Sequence, residues 1–204
     1  LLKKQVKFIG NLKITNTSDY LKKNIIKKRE FNSNIIQIMF SNTHNYEEEL
    51  LIPIIKELQN KFNFIKIIIA PRHPERSKKI ISMFNSYEIK VDLETNINKN
   101  QKNIFIINSF GILSKYYIST DIVFLGGSII NAGGHNPIEP ALNKCAILTG
   151  SKIFNWQNIY DDMFFKKSCI IVKNIDQLKH QIMDLIKNKN KIEDLKINGY
   201  NFAK

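Results

Sequence analysis

The sequence predicts an α/β protein built on a doubly wound, Rossmann-like parallel sheet, and three observations carry that prediction. Short β-branched runs alternate with longer stretches of helical period, the pattern of repeated βαβ units. The runs are almost wholly apolar, as in Ile104-Phe105-Ile106-Ile107 and Ile122-Val123-Phe124-Leu125, which suits strands covered by helices on both faces. The residue types that the rest of the chain avoids gather just after three of those runs, where open α/β sheets bind ligands.

Taken in order, Val6–Ile9 and Ile35–Phe40 are the first expected strands, with a helix over Asp19–Glu30 between them. Tyr46–Asn60 is expected as one helix whose Glu47, Glu48 and Glu49 complement its positive end. Phe64–Ile69 is the next strand and Glu75–Phe84 the helix behind it; Glu88–Leu93 and Ile104–Ile107 are strands flanking an Asn/Lys-rich polar loop over 96–103. Gly111–Tyr117 is a short helix and Asp121–Leu125 a strand. Pro137–Asn143 opens with helix-start chemistry: Asn136 as N-cap, Pro137 at the first helical position, and Glu139 at the third, where its carboxylate can bond back to the cap. Strand Ala146–Leu148, helix Asn155–Phe165, strand Ile170–Val172 and helix Asp176–Asn188 complete the alternation. The tail from Lys187 reads as a solvated helix or frayed end.

At 204 residues, 43% hydrophobic and 24% charged, the chain has the composition of a globular protein with a real core. Apolar runs such as Ile67-Ile68-Ile69-Ala70 are far shorter than the roughly 18 residues a membrane-spanning helix needs. Cys145 and Cys169 are too far apart for a CxxC pair and read as buried thiols of a reducing compartment, which places the chain in the cytoplasm. The chain opens on Leu1, with a strand-like stretch almost at once, as expected of a piece cut from a longer protein. The net charge of +13 invites a nucleic-acid reading, but residues 1–30 hold +7, residues 173–204 hold +3, and the whole middle only +3. No Arg-rich helix or aromatic-interleaved basic strand is present, so a drift toward Lys, Ile and Asn explains the charge, and no nucleic-acid partner is expected.

Against that drift the exceptions stand out. Only three of the 31 basic residues are Arg, and Arg72 and Arg76 fall together; six of eight glycines lie between Gly111 and Gly150, and four of five prolines form the pairs Pro71/Pro74 and Pro137/Pro140. Arg72 follows a strand between two prolines and reads as a phosphate clamp, the alternative being an ion pair with Glu75 that Lys would serve as well. His73 beside it either donates to the same ligand or merely packs. Arg76 reads as structural, on a solvated helix. Gly133 and Gly134 allow backbone N–H groups to approach an anion at the start of the following helix, and Glu139 can accept from ribose hydroxyls there, so a nucleotide is the indicated ligand. The alternative is that Asn136 and Glu139 only cap. No G-x-G-x-x-G fingerprint points to a dinucleotide, no G-x-S-x-G elbow is present, and no His, Cys, Asp and Glu groups have metal-site spacing. His44 faces the cleft or caps its helix, and His180 reads as an ordinary helix-surface residue.

Together, Gly10-Asn11-Leu12-Lys13, Ser41-Asn42-Thr43-His44 with Glu47-Glu48-Glu49, Ala70-Pro71-Arg72-His73-Pro74-Glu75-Arg76, Asn108-Ser109-Phe110-Gly111, Gly126-Gly127-Ser128 through Gly134-His135-Asn136-Pro137-Ile138-Glu139-Pro140, Leu148-Thr149-Gly150 and Phe154-Asn155-Trp156 resemble the carboxyl-terminal half of the Kdo (3-deoxy-D-manno-octulosonic acid) transferases. These enzymes of lipopolysaccharide biosynthesis move an acidic eight-carbon sugar from CMP-Kdo to the lipid A precursor, lipid IVA. The resemblance implies a two-domain GT-B glycosyltransferase, with residues 1–30 ending the first domain and linker and residues 31–204 forming the CMP-sugar-binding domain. It implies inverting, metal-independent transfer without a cofactor, in the cytoplasm, with the first domain resting on the inner membrane. The general base is expected in that first domain, so no catalytic residue is expected in this chain, which alone is expected to be inactive; a final crossover helix is expected beyond Lys204. By resemblance, CMP contacts fall on Arg72 and His73, on Phe110, Gly111 and Ile112, and on Asn136, Pro137, Ile138 and Glu139. The family usually has Gly where Tyr46 stands, Asp-Thr where Asn108-Ser109 stand, and Glu where Ile112 stands. The Gly-rich loop and Glu139 alone would also suit a GT-B enzyme using UDP, and the basic charge a non-catalytic binding remnant.

Overall fold

In a computed structural model of the chain, which describes residues 35–96 and 103–204, seven strands form one parallel sheet. They are β1 (Ile36–Thr43), β2 (Ile65–Pro71), β3 (Asp92–Leu93), β4 (Ile104–Ile106), β5 (Ile122–Leu125), β6 (Ala146–Gly150) and β7 (Ile170–Val172). The sheet order is β3-β4-β2-β1-β5-β6-β7, with every neighbouring pair parallel. The chain therefore builds outward from β1 in one direction as far as β4 and its edge strand β3, then returns to the other side of β1 with β5. That reversal is a topological switch point, and the carboxyl ends of β1 and β5 border the crevice it creates. The expected strand Val6–Ile9, the expected helix Asp19–Glu30, the Gly10–Lys13 motif and residues 1–30 as a domain end lie outside the described residues.

Strand alternation sorts the apolar side chains into two cores. Ile38, Phe40, Ile67, Ile69, Ile104, Ile106, Ile122 and Phe124 face one way, toward α2 (Ile52–Lys61), α3 (Ser77–Ser86) and α7 (Ile175–Lys187). Met39, Ile68, Ala70, Val123, Leu125 and Ile147 face the other, toward α4 (Leu113–Tyr117), α5 (Ile138–Leu142) and α6 (Gln157–Phe165). Cys145 and Cys169 are buried free thiols in the second core, and burial pushes the Cys169 thiol up to about 12.

Four elements differ from expectation. The single helix over 46–60 is two: α1 (Glu47–Leu50) and α2, with Pro53 at the second position of α2, where its missing N–H breaks the helical ladder. Strand pairing over 88–93 is limited to Asp92–Leu93, because the chain turns at Glu88 with φ of 63°. The segment after Phe64–Ile69 enters α3 through a 3-10 turn at Pro74–Arg76. The tail is the largest correction: α8 (Lys189–Ala203) is a packed helix. Asn188 caps it, Ile192, Leu195 and Gly199 line its buried stripe, and Lys196 Nζ lies 2.6 Å from Asp121 Oδ1 at the start of β5. Its apolar stripe is narrow and diluted by Lys and Asn, which is why its pattern reads as solvated. No described helix is long and apolar enough to cross a membrane.

Candidate functional site

The loops leaving β1, β2, β4 and β5 meet above the switch point. β1 ends in a bulge, with Asn42 at φ 54° and the register to β2 shifting between Ser41 and Thr43. Such a bulge re-aims the residues beyond it. Thr43 O accepts the Arg72 amide at 2.8 Å, which holds the β2 loop against the end of β1. Tyr46 then sits in the left-handed region at φ 69°, where glycine is favoured, and α1 begins.

Two of the three acids in α1 are buried, Glu47 fully and Glu48 at 1% exposure, so they do not serve as a solvated complement to a helix dipole. Glu47 Oε2 accepts the Gly127 amide at 2.7 Å and the His44 amide at 3.2 Å, tying the β1 loop to the β5 loop across the crevice. Burial raises the Glu47 carboxyl pKa, opposed by backbone amides of Gly127, His44 and Ile129. No larger residue fits at Gly126, where a Cβ would lie 2.7 Å from both Asn42 O and Glu47 Oε2. Glu48 accepts Thr43 Oγ1 at 3.0 Å and both terminal nitrogens of Arg76, at 3.0 and 2.9 Å; Arg76 also reaches Asn45 Oδ1 at 3.2 Å. Arg76 is therefore structural, as expected, but as a forked partner of a buried carboxylate and not as a residue on a solvated helix.

Arg72 is exposed, and among the described residues it makes no ion pair; Glu75 lies instead 3.4 Å from His73 Nδ1, with both side chains exposed. The β4 loop presents Phe110 at 67% exposure and Gly111 at φ 75°, with open space where a Cβ would stand. Ile112, expected by resemblance among the CMP contacts, packs against the second core.

The β5–α5 loop departs from the helix-start reading in two respects. Asn136 Oδ1 accepts the Ile138 amide at 2.9 Å, so the cap is present, with α5 beginning one residue later than expected, after Pro137. Glu139 does not close back on the cap; its Oε1 accepts from Ser114 Oγ on α4. The Gly134 amide is donated to Gly127 O at 3.0 Å, so it is not free to cradle an anion. A Cβ at Gly133 would lie 2.1 Å from Asn155 Nδ2, and Gly133 O accepts the Asn155 amide at 3.1 Å. The glycine pair thus packs the β5 loop against the β6 loop.

At the centre of these loops His44 and His135 stack with ring centroids 5.2 Å apart and Nε2 atoms 2.9 Å apart. His135 is held from behind by Tyr160 Oη, which donates to its carbonyl at 2.9 Å. Burial, then the charges of His44 and Arg72, push the His135 pKa down to about 4. The His44 pKa is lowered by burial against the pull of Glu48, with His73, Arg72 and Arg76 adding to the lowering. The sequence leaves His44 between the cleft and a helix cap and does not single out His135, Glu47 or Glu48 as site residues, although three of the four histidines lie in loops that follow strands β1, β2 and β5. Among the described residues no three His, Cys, Asp or Glu side chains are grouped to hold a metal ion. A surface hollow of about 640 Å3 lined by Phe164, Phe165 and Leu195 draws no residue from these loops.

No protein-family model matches the chain. It is 30% identical over 203 residues to a 3-deoxy-D-manno-octulosonic acid transferase of Haemophilus influenzae, covering 97% of this chain and 48% of that protein. It is 29% identical over 203 residues to a bifunctional glycosyltransferase/methyltransferase of Fusobacterium nucleatum, covering 95% of this chain and 31% of that protein. The chain thus spans a third to a half of the length of these relatives. Its fold matches the crystal structure of the C-terminal CMP-Kdo binding domain of WaaA from Acinetobacter baumannii with a TM-score of 0.77 at 19% identity, covering 94% of this chain and 97% of that one. The sequence similarity to a 3-deoxy-D-manno-octulosonic acid transferase thus runs through nearly the whole chain, and the fold is that of the C-terminal CMP-Kdo binding domain it matches.

Proposed function

We propose that the chain is the donor-nucleotide domain of a glycosyltransferase that moves Kdo from CMP-Kdo to the lipid A precursor. The observation that carries the reading is Arg72: an exposed guanidinium without an ion-pair partner among the described residues, fixed by its backbone at the mouth of the switch-point crevice, in a chain related throughout to Kdo transferases. A guanidinium offers two parallel donors to a phosphate, and a charge that develops on a leaving CMP is stabilised by donors already in place. Phe110 and the open face of Gly111 border the same cleft and suit a base and ribose; Glu139, anchored by Ser114, presents a carboxylate on the α5 side.

In the intact enzyme, an acceptor hydroxyl activated by a carboxylate of the acceptor domain attacks the anomeric carbon of Kdo with inversion, and CMP departs with its phosphate against Arg72. No metal takes part in this scheme. The enzyme works in the cytoplasm at the inner membrane, where its lipid acceptor resides, and this chain alone does not turn over. Titration with CMP, UMP and a polyanion tests the reading. CMP binding in preference to UMP is expected; a UMP preference would point to a UDP-sugar enzyme, and salt-sensitive polyanion binding with no nucleotide would point to a basic binding module.

A further inference from the structure

We infer that His44 and His135 form a proton-accepting element of the donor site: a phosphate monoester that pairs with Arg72 draws one proton from solvent onto the two imidazoles. The inference rests on the donor-domain reading and adds to it a step that no residue of the expected CMP contacts supplies.

The geometry sets the proton count. Two Nε2 atoms 2.9 Å apart share a single proton, so one ring donates as the Nε2–H tautomer and the other accepts as the Nδ1–H tautomer. A further proton can enter at the unprotonated Nδ1 of the donating ring without breaking this bond, and it makes the bond charge-assisted. A second further proton would have to occupy the accepting Nε2 and would break it. The pair therefore holds at most one positive charge while it remains closed.

The surroundings decide when that charge appears. From the β1 loop, Glu48 favours it, while Glu47 binds the His44 amide and is itself pushed toward its neutral form by burial. From the β2 loop, Arg72, His73 and Arg76 oppose a charge on His44, and Arg72 also opposes one on His135. Arg72 is thus the cation that acts on both rings, and it is also the exposed one, whereas Arg76 is already neutralised by Glu48. An anion seated on Arg72 cancels that opposition and adds an attraction of its own. Both effects favour protonation of the pair.

Calorimetric titration of the 204-residue chain with CMP, in buffers of differing ionisation enthalpy at pH 6.5 and 7.5, counts the protons exchanged. Net uptake is expected, at most one proton per CMP and larger at pH 6.5 than at 7.5, with affinity falling by up to about tenfold per pH unit as pH rises. The phosphate's own second ionisation, with a pKa near 6, contributes release and so cannot imitate uptake. Cytidine should bind without proton exchange, and H44N and H135N should each abolish the uptake. Should either variant fold poorly, imidazole 15N shifts of the wild type decide the matter: one ring should pass from singly to doubly protonated on adding CMP. CMP binding with no uptake, or uptake that persists in a folded variant, overturns the inference and leaves the donor-domain reading standing. If neither CMP nor cytidine binds, the reading falls and this inference with it.

Discussion

Replacing each of two neighbouring arginines with lysine should separate ligand binding from folding. Arg76 places two nitrogens 3.0 and 2.9 Å from the two oxygens of Glu48, a carboxylate only 1% exposed, and reaches Asn45 as well. Lysine supplies a single charged nitrogen, so one charge-assisted bond to a buried acid is lost, and about 2 kcal/mol with it. For a chain of this length that corresponds to a fall in Tm of about 4–8 °C. R76A, which leaves Glu48 buried without a partner cation, should cost about 3–5 kcal/mol. At Arg72, which is exposed and without an ion pair among the described residues, R72K should leave Tm unchanged and weaken CMP binding by roughly tenfold, while cytidine binds both proteins alike. Differential scanning calorimetry and CMP titration of the three variants check both halves. If R76K leaves Tm unchanged, the forked Glu48 contact is not holding the β1 and β2 loops together. If cytidine distinguishes R72K from wild type as strongly as CMP does, Arg72 does not act through phosphate.

Three further outcomes follow from the same loops. E139Q keeps an oxygen for Ser114 and should change stability by less than about 1 kcal/mol, while CMP affinity, and the preference for CMP over its 2′-deoxy form, should fall if the carboxylate holds ribose. Y46G should raise stability by a few tenths to about 1 kcal/mol in urea unfolding, because Tyr46 is left-handed and 73% exposed, so relief of strain outweighs the lost side chain. With a folded pKa of about 4 against 6.5 unfolded, His135 lets the unfolded chain bind more protons between those values; its contribution, up to about 3 kcal/mol, is present above pH 6.5 and lost as pH falls to about 4. The raised Glu47 carboxyl acts in the opposite sense, so the comparison is the urea midpoint of wild type against H135N across that window, with a flatter profile expected for the variant.

Most of the described fold was legible because it follows from periodicity. Runs such as Ile104–Ile107 and Ile122–Leu125 have few ways to satisfy their backbone and bury both faces except as central parallel strands. Where the reading failed, a competing local rule won. Pro53 divided a continuous apolar pattern into α1 and α2, and Glu88 turned the chain before an edge strand could extend. The tail failed for a tertiary reason: α8 owes its order to Ile192 and Leu195 against the core and to Lys196 on Asp121, a contact 75 residues distant in sequence.

The site divides along the same line, between what rarity marks and what only assembly reveals. Arg72, Gly111, Gly133, Gly134 and Asn136 stand out because a Lys- and Ile-rich chain retains those types where their geometry is needed, and the structure puts their loops at one end of the sheet. Glu47 and Glu48 carry no such mark. Three acids at a helix start are fully explained by the helix dipole until the Gly127 amide arrives from 80 residues away and Arg76 from 28. Once those partners are in place the same acids take on a different task. Glu47 joins the strand-end loops on either side of the switch point, Glu48 joins the β1 and β2 loops, and between those two ties the His44–His135 pair is held closed beneath Arg72's charge. The loops of the site are thus marked by residues conspicuous in type, whereas the acids that tie those loops together are ordinary in type and become identifiable only through the loops they bridge.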